Sequence, residues 1–148
     1  MIKSLDRTYK MGRFKAFIQH ESNEPEVLRI RKSKRVPKTI RGRLVVFTLN
    51  DNKFIVKLIP SLNISGYGET ESEAESMLKE ILGDYFESII KLRKDKLIRE
   101  LSRYGWELGP YSRKTFKAIP INKNVILDEF GLPQDTPVKE SMLELQVA

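Results

Sequence analysis

The chain has 148 residues and a formal net charge of +7, with 27 Lys and Arg against 20 Asp and Glu. It contains no cysteine, which excludes disulfides, thiolate nucleophiles and cysteine-ligated metal sites. The N-terminus lacks the apolar segment of a signal peptide, and no apolar run reaches the roughly eighteen residues of a membrane span. We therefore expect a cytoplasmic protein without membrane contact.

The positive charge is concentrated near the N-terminus. Residues 1–43 hold 13 Lys and Arg against 4 Asp and Glu, whereas residues 44–104 hold 9 against 10 and residues 105–148 hold 5 against 6. Such an asymmetry indicates an anionic partner for the basic segment, or a solvated arm. We divide the chain into this basic segment, which could contain short strands, an α+β core over 44–121 and a C-terminal extension over 122–148.

The first predicted elements are two short strands, Phe14–Gln19 and Val27–Arg31. The segment 32–43 is basic and is interrupted by Pro37, so we predict a loop or an edge strand there.

The strongest β signal begins at Leu44. Residues 44–49 form an almost continuous apolar run, which is typical of a strand covered on both faces. A turn of Asn and Asp follows at 50–52, and a second strand runs from 54 to 59, where Pro60 ends it. A third strand is predicted over 64–69. The three should pair as consecutive antiparallel strands.

A helix is predicted from Glu71 to about Leu92. Thr70 and Glu73 have the spacing of a capping box, in which the threonine hydroxyl accepts from a free backbone N–H and the glutamate reaches back to the cap. Apolar residues then recur every three or four positions, as on a helix with one buried face. We expect the following residues to pack on the sheet: Met77, Leu78, Ile81, Leu82 and Tyr85.

Beyond residue 92 the helix either continues with a bend near Lys94 or gives way to a second short helix that ends at Gly105. A hairpin over 106–108 and 115–121 follows, and residues 138–147 form a final helix or strand. The predicted fold class is α+β, with an antiparallel sheet packed on one long helix.

The segment from Leu44 to about Ile90 resembles the HicB antitoxin family. The positions that carry the resemblance are Pro60, Leu62, Gly68, Thr70, Glu73 and Ala74. It implies a β-β-β-α-β fold, a small protein partner as in a toxin–antitoxin system, and a homodimer. The chain departs from the family pattern at Ser61, where the family has aspartate, and we find neither a helix-turn-helix nor a ribbon-helix-helix in 105–148.

Catalysis has little support in the sequence. His20 is the only histidine and lacks partner ligands for a metal. Gly66-Tyr67-Gly68 is not followed by the Lys and Ser or Thr of a phosphate loop. Carboxylate pairs such as Glu80 and Asp84 lie at helical spacing, which indicates a solvated face of the predicted helix. We predict a protein that is not an enzyme and binds neither cofactor nor metal.

The one candidate site is a basic run without acidic residues. It comprises Arg29, Arg31, Lys32, Lys34, Arg35, Lys38, Arg41 and Arg43. Contacts of these residues to phosphates would give affinity without sequence preference. The run contains no aromatic residue, so base stacking is not predicted. The alternative is a solvated loop or an edge strand protected by its charges.

Two functions follow from these features. The first is a non-catalytic binding or regulatory protein, an antitoxin-like module that binds a small protein partner. The alternative is a basic accessory protein associated with nucleic acid, without a toxin partner.

Overall fold

The computed structural model describes residues 9–11, 14–19, 25–31, 38–109 and 112–147. This part of the chain forms an antiparallel sheet and three helices, an α+β fold as predicted. The strands are β1 Tyr9–Met11, β2 Phe14–Gln19, β3 Val27–Arg31, β4 Thr39–Asp51, β5 Phe54–Ile59, β6 Ile64–Gly68, β7 Glu107–Gly109, β8 Ser112–Lys117 and β9 Lys139–Val147. The helices are α1 Glu71–Ile89, α2 Lys94–Ser102 and α3 Lys123–Glu129.

The long strand β4 organises the sheet. One side of it pairs with β9 over residues 40–48, while the other side pairs first with β3 over 39–43 and then with β5 over 47–51. The strand order is β1-β2-β9-β4-β3-β8-β7, and β6 extends the sheet from β5. The prediction of three consecutive antiparallel strands over 44–69 is confirmed by the β4–β5 and β5–β6 pairings.

Segment 39–43 was wrongly predicted as a loop or an edge strand. It lies inside the sheet, between β3 and β9. Its charged side chains are typical of an edge strand, but Ile40, which lies between Thr39 and Arg41, is fully buried. The predicted divisions after residues 43 and 121 do not separate the sheet, because β4 crosses the first and β9, from the last segment, lies beside β4.

Two further elements were not predicted: the short strand β1 and the helix α3. Both are brief, and neither has the long apolar repeat that identifies α1. The sequence allows either a helix or a strand at 138–147. The structure has the strand β9 there.

The start of α1 is fixed by local hydrogen bonds. The Thr70 hydroxyl accepts from the backbone N–H of Glu73 at 3.1 Å, as the capping box requires. The Glu73 carboxylate accepts from the N–H of Glu69 at 3.1 Å, one residue before the predicted target. The helix ends at Ile89 rather than near Leu92, and α2 is a separate helix.

The buried face of α1 is narrower than predicted. Its fully buried apolar residues are Ala74, Leu78, Leu82 and Phe86, with Ile89 almost as deep. Ile81 is 36% exposed, so its predicted burial is wrong. With about 3.6 residues per turn, Ile81 lies to one side of the row that faces the sheet. Met77 and Tyr85, which share that side, are half-buried.

Close packing of α1 on β6 depends on two glycines. A Cβ atom on Gly66 would lie 2.4 Å from the backbone nitrogen of Leu78, and one on Gly68 would lie 2.4 Å from the Cβ of Glu73. Any side chain at these positions would push the helix away from the strand. The glycines that the sequence places in β6 therefore allow the helix and the sheet to approach.

The sheet has a different cover on each of its faces. On one, α1 and α2 enclose the larger core, which includes Phe14, Leu44, Val46, Leu101 and Trp106. On the other, a smaller cluster joins Phe47, Leu49, Val56 and Leu58 to Ile126 and Leu127 of α3. We call the first the helix-covered face and the second the outer face. No helix in the described ranges has both the length and the apolar character needed to cross a membrane.

Candidate nucleic-acid interface

The arginines of β4 lie on the outer face. Successive side chains of a strand point to opposite faces. Ile40 and Leu44 belong to the core under the helices, so Arg41 and Arg43 point away from it. Arg41 is exposed and Arg43 is half-buried.

Strand pairing adds basic residues that are distant in sequence. Residues directly opposite each other in an antiparallel pair share a face. Arg29 of β3 is opposite Arg41, and Gln146 of β9 is opposite Arg41 on the other side. Lys15 of β2 is in turn opposite Gln146.

These pairings define a row of side chains across five strands, which we call the basic row. In spatial order it consists of Lys15, Gln146, Arg41, Arg29 and Thr115. At about 4.8 Å between neighbouring strands, the row is roughly 19 Å long. It contains three cations and no carboxylate.

The neighbouring positions on the outer face are of mixed character. Arg31 lies beyond the basic row on β3, opposite Thr39. On the other side, Arg43 lies between Val27 and Glu144. Glu144 is in turn opposite Phe17 of β2, which is 38% exposed. An exposed aromatic ring therefore lies two strands from Arg43 on the same face.

Sequence reasoning missed the contribution of β2. The basic run contains no aromatic residue, and Phe17 lies outside it. The signal that could have found it is the alternation in β2, which buries Phe14, Ala16 and Ile18 and exposes Lys15 and Phe17. The neighbour relation itself depends on β9, more than a hundred residues away, which pairs with β2 on one side and with β4 on the other. Across the second pairing, Arg41 Nη2 donates to Gln146 Oε1 at 3.3 Å.

The arginines differ in their contacts. Arg43 Nε donates to the carbonyl oxygen of Pro25 at 2.8 Å, which fixes that side chain beside the start of β3. Arg29 and Arg31 are exposed. Among the residues that the structure describes, no carboxylate forms an ion pair with either of them. Their charges are therefore available to an anionic partner.

Four of the eight predicted residues thus share one face, namely Arg29, Arg31, Arg41 and Arg43. Lys38 lies elsewhere: its ammonium donates to the carbonyl oxygen of Leu92, just after α1, and holds the helix end against the sheet. Lys32, Lys34 and Arg35 lie outside the described residues.

A second feature of the outer face is a cavity beside Glu26. Between the stretches of β4 that pair with β3 and β5, the Val45 N–H donates to Glu26 Oε2 at 2.9 Å. Ser61 Oγ donates to the same oxygen at 2.7 Å. Burial raises the pKa of the Glu26 carboxyl, although both hydrogen bonds act against the rise. The cavity has a volume of about 180 Å³.

A lysine cluster on the helix-covered face has a structural role. Lys57 is only 2% exposed, and its ammonium donates to Thr48 Oγ1 at 2.9 Å and to Glu71 Oε1 at 3.1 Å. Lys139 donates to the same glutamate oxygen at 3.3 Å. The hydrogen bond and charge of Lys57 lower the pKa of Glu71. These contacts attach the first turn of α1 to β4, β5 and β9.

A grouping of metal-binding side chains is not found in the described ranges. They contain no group of three or more His, Asp or Glu side chains that could hold a metal ion. Comparisons of the chain with protein-family models, with curated proteins and with solved structures found no match.

Proposed function

We propose that the protein is a non-catalytic nucleic-acid-binding protein that holds the phosphate backbone on the outer face of its sheet. The observation that carries the proposal is the basic row, where Lys15, Arg41 and Arg29 come from three strands to one exposed line. Arg31 and Arg43 flank that line on the same face. Of the two functions considered from the sequence, this is the alternative.

The chemistry of the row suits a backbone better than a small anion. Its cations are spread over roughly 19 Å, whereas a single phosphate would need them to converge. Each neutralised phosphate releases condensed counterions, so affinity should fall steeply with salt. Contacts of this kind position a nucleic acid without reading its sequence.

The shape of the surface favours a single strand. The outer face is a sheet surface with an exposed Phe17 near its cations, and aromatic side chains on such surfaces can stack on unpaired bases. We find no exposed helix among the described elements that would place these arginines in a major groove.

A second candidate function is that of a HicB-like antitoxin module, which binds a small protein partner and forms a homodimer. It is supported by the succession of β4, β5, β6 and α1, which follows the order of the family fold. The Phe54 and Tyr67 rings meet edge to face at 5.7 Å and are largely exposed, as in many protein-binding surfaces. In the family pattern a further strand follows one long helix; here β7 and β8 follow α2 and pair with each other, and β8 also pairs with β3.

The test is a salt titration of binding to labelled single-stranded DNA and RNA. The triple variant Arg29→Ala, Arg31→Ala and Arg41→Ala removes three cations from the outer face. The matched control, Lys94→Ala, Lys96→Ala and Arg99→Ala, removes the same charge from exposed positions on α2.

The outer-face variant should bind more weakly to every sequence. The slope of log K against log salt should become less steep by roughly 2, since each phosphate of a single strand contributes about 0.7. The α2 control should keep most of the wild-type slope. Equal losses in both variants, or no binding by the wild type at low salt, would contradict the proposal and leave the protein-binding candidate.

A further inference from the structure

The cavity beside Glu26 lies next to Arg43, which flanks the basic row. Val45, which lines it, follows Arg43 by two residues on the same face of β4. Pro25, another lining residue, accepts the hydrogen bond of Arg43 Nε. A strand whose phosphates met the arginines would therefore pass the mouth of the cavity.

The cavity exists because the sheet is interrupted. On one side of β4, the pairing with β3 stops at Arg43 and the pairing with β5 starts at Phe47, which leaves Val45 without a strand partner on that side. Glu26 takes the place of a strand by accepting the Val45 N–H. Because the Glu26 side chain, and not a further strand, lies beside Val45, a cavity remains next to it.

The two carboxylate oxygens of Glu26 differ in their hydrogen bonds. Oε2 accepts from both Val45 and Ser61, whereas Oε1 accepts no hydrogen bond from the described part of the chain. Within that part, no buried side-chain oxygen or nitrogen lacks a partner. Oε1 therefore reaches an accessible surface, and the cavity is the space that Glu26 lines.

The rest of the lining is mainly apolar. Its walls include three prolines and the side chains of Val45 and Phe47, and a second carboxylate, Glu140, lies at the position opposite Phe47 on β9. With a volume of about 180 Å³, the cavity can hold one flat ring system. A ligand that fits must offer hydrogen-bond donors to carboxylate oxygens and apolar faces to the walls.

We propose that this cavity takes one unpaired guanine from a single strand bound along the basic row. The proposal rests on the proposed function and adds a base preference to it. Guanine alone among the common bases carries a ring N–H and an exocyclic amino group side by side. Adenine and cytosine place an acceptor nitrogen beside their amino group, and uracil and thymine flank their N–H with carbonyls that a carboxylate would repel.

The test compares oligonucleotides that differ at one base. Labelled oligo(dT) and oligo(rU) are measured by fluorescence anisotropy, each without a replacement and with a central guanine, inosine, adenine or cytosine. Inosine is the matched probe, since it keeps the ring N–H of guanine and lacks the amino group. The wild type should bind the guanine oligomer at least about fivefold more tightly than the unsubstituted one, with inosine between them.

A variant of the protein makes the test sharper. In Glu26→Gln the amide oxygen must take the place of Oε2, because Val45 N–H and Ser61 O–H both donate there. The amide nitrogen then occupies the place of Oε1 and offers donors. The guanine preference should disappear, and binding of the unsubstituted oligomer should stay the same or improve. The matched control is Glu107→Gln, an exposed carboxyl of the same face, which should keep the preference.

The outcomes separate the two proposals. Binding by the wild type without preference for guanine overturns the base pocket and leaves the phosphate interface. Loss of all binding overturns both. If Glu26→Gln is too unstable to measure, the wild-type series of guanine, inosine and thymine still decides, because equal affinities for the three contradict the pocket. A preference that survives in a folded Glu26→Gln protein contradicts the role of Glu26.

Discussion

The two faces of the sheet differ in the side chains that β4 presents to them. In β4, Ile40, Leu44 and Val46 are fully buried under the helices, while Arg41 and Arg43 point to the outer face. The helix-covered face obtains its stability from apolar packing that excludes water. On the outer face, the half that carries the arginines has no helix over it among the described residues. Charge within a strand therefore does not make it an edge strand, and the burial of each face has to be considered separately.

The largest effect is expected on the helix-covered face. Phe86 is fully buried and stacks on Phe14 with ring centroids 6.1 Å apart. Phe86→Ala should lower the free energy of unfolding by about 3–5 kcal/mol, because it leaves a cavity. Chemical denaturation measures the change. Ile81→Ala is the control on the same helix, and a loss for it as large as for Phe86 would mean that the assigned buried face is wrong.

The helix cap should contribute less than the core. Thr70→Ala removes the acceptor for the Glu73 N–H and should cost about 1 kcal/mol. Thr70→Ser, which keeps the hydroxyl, should recover most of this loss in the same denaturation experiment. An effect above that of Phe86→Ala would contradict the order proposed for the two sites.

The faces should also differ in their dependence on pH. The pKa of Glu71, on the helix-covered face, is lowered from 4.5, so its contribution is present above 4.5 and lost as the pH falls through its folded value. The pKa of Glu26 is raised from 4.5, so its contribution is present below 4.5 and lost as the pH rises through its folded value.

Two variants should therefore change the stability profile in opposite directions. Relative to the wild type, Glu71→Gln should lose less stability on acidification below pH 4.5, and Glu26→Gln should lose less as the pH rises above it. Denaturation at several pH values between about 3 and 7 measures both profiles. Parallel profiles for the two variants would show that the carboxyls do not have opposite environments.

The smallest effect on stability is expected for the outer-face arginines. The triple change at Arg29, Arg31 and Arg41 should alter the free energy of unfolding by only about 0.5 kcal/mol per site or less, as exposed substitutions usually do. Thermal unfolding of the variant beside the wild type measures this. A large loss would give these residues a structural role and would remove them as a clean test of binding.

The local features of the fold could be predicted from the sequence. Alternation and turn residues identified β4, β5 and β6, and the Thr70 cap located the start of α1, because these signals depend on neighbours in the chain. The burial of Ile81 could not be predicted reliably. The apolar stripe of α1 is wider than the face of the helix that is buried, and only the packed structure shows which side of the stripe stays exposed.

The candidate site was predictable only in part. The run from Arg29 to Arg43 supplied its arginines, but the basic row also needs Lys15 and Gln146, which β9 brings beside them. Pairing between segments so distant along the chain leaves no local trace. The same applies to Glu26, whose carboxylate meets Ser61 across thirty-five positions of sequence. Ser61 donates to Glu26. The aspartate that the HicB antitoxin family has at this position could donate only when protonated.

We propose that the outer face, and not the chain's positive charge as a whole, binds nucleic acid. The most direct measurement is the salt dependence of single-strand binding by the wild type, the Arg29, Arg31 and Arg41 variant and the α2 control of equal charge. We predict a shallower slope, by roughly 2, for the outer-face variant alone. The same slope for both variants would contradict the claim, since it would mean that net charge and not this face determines binding.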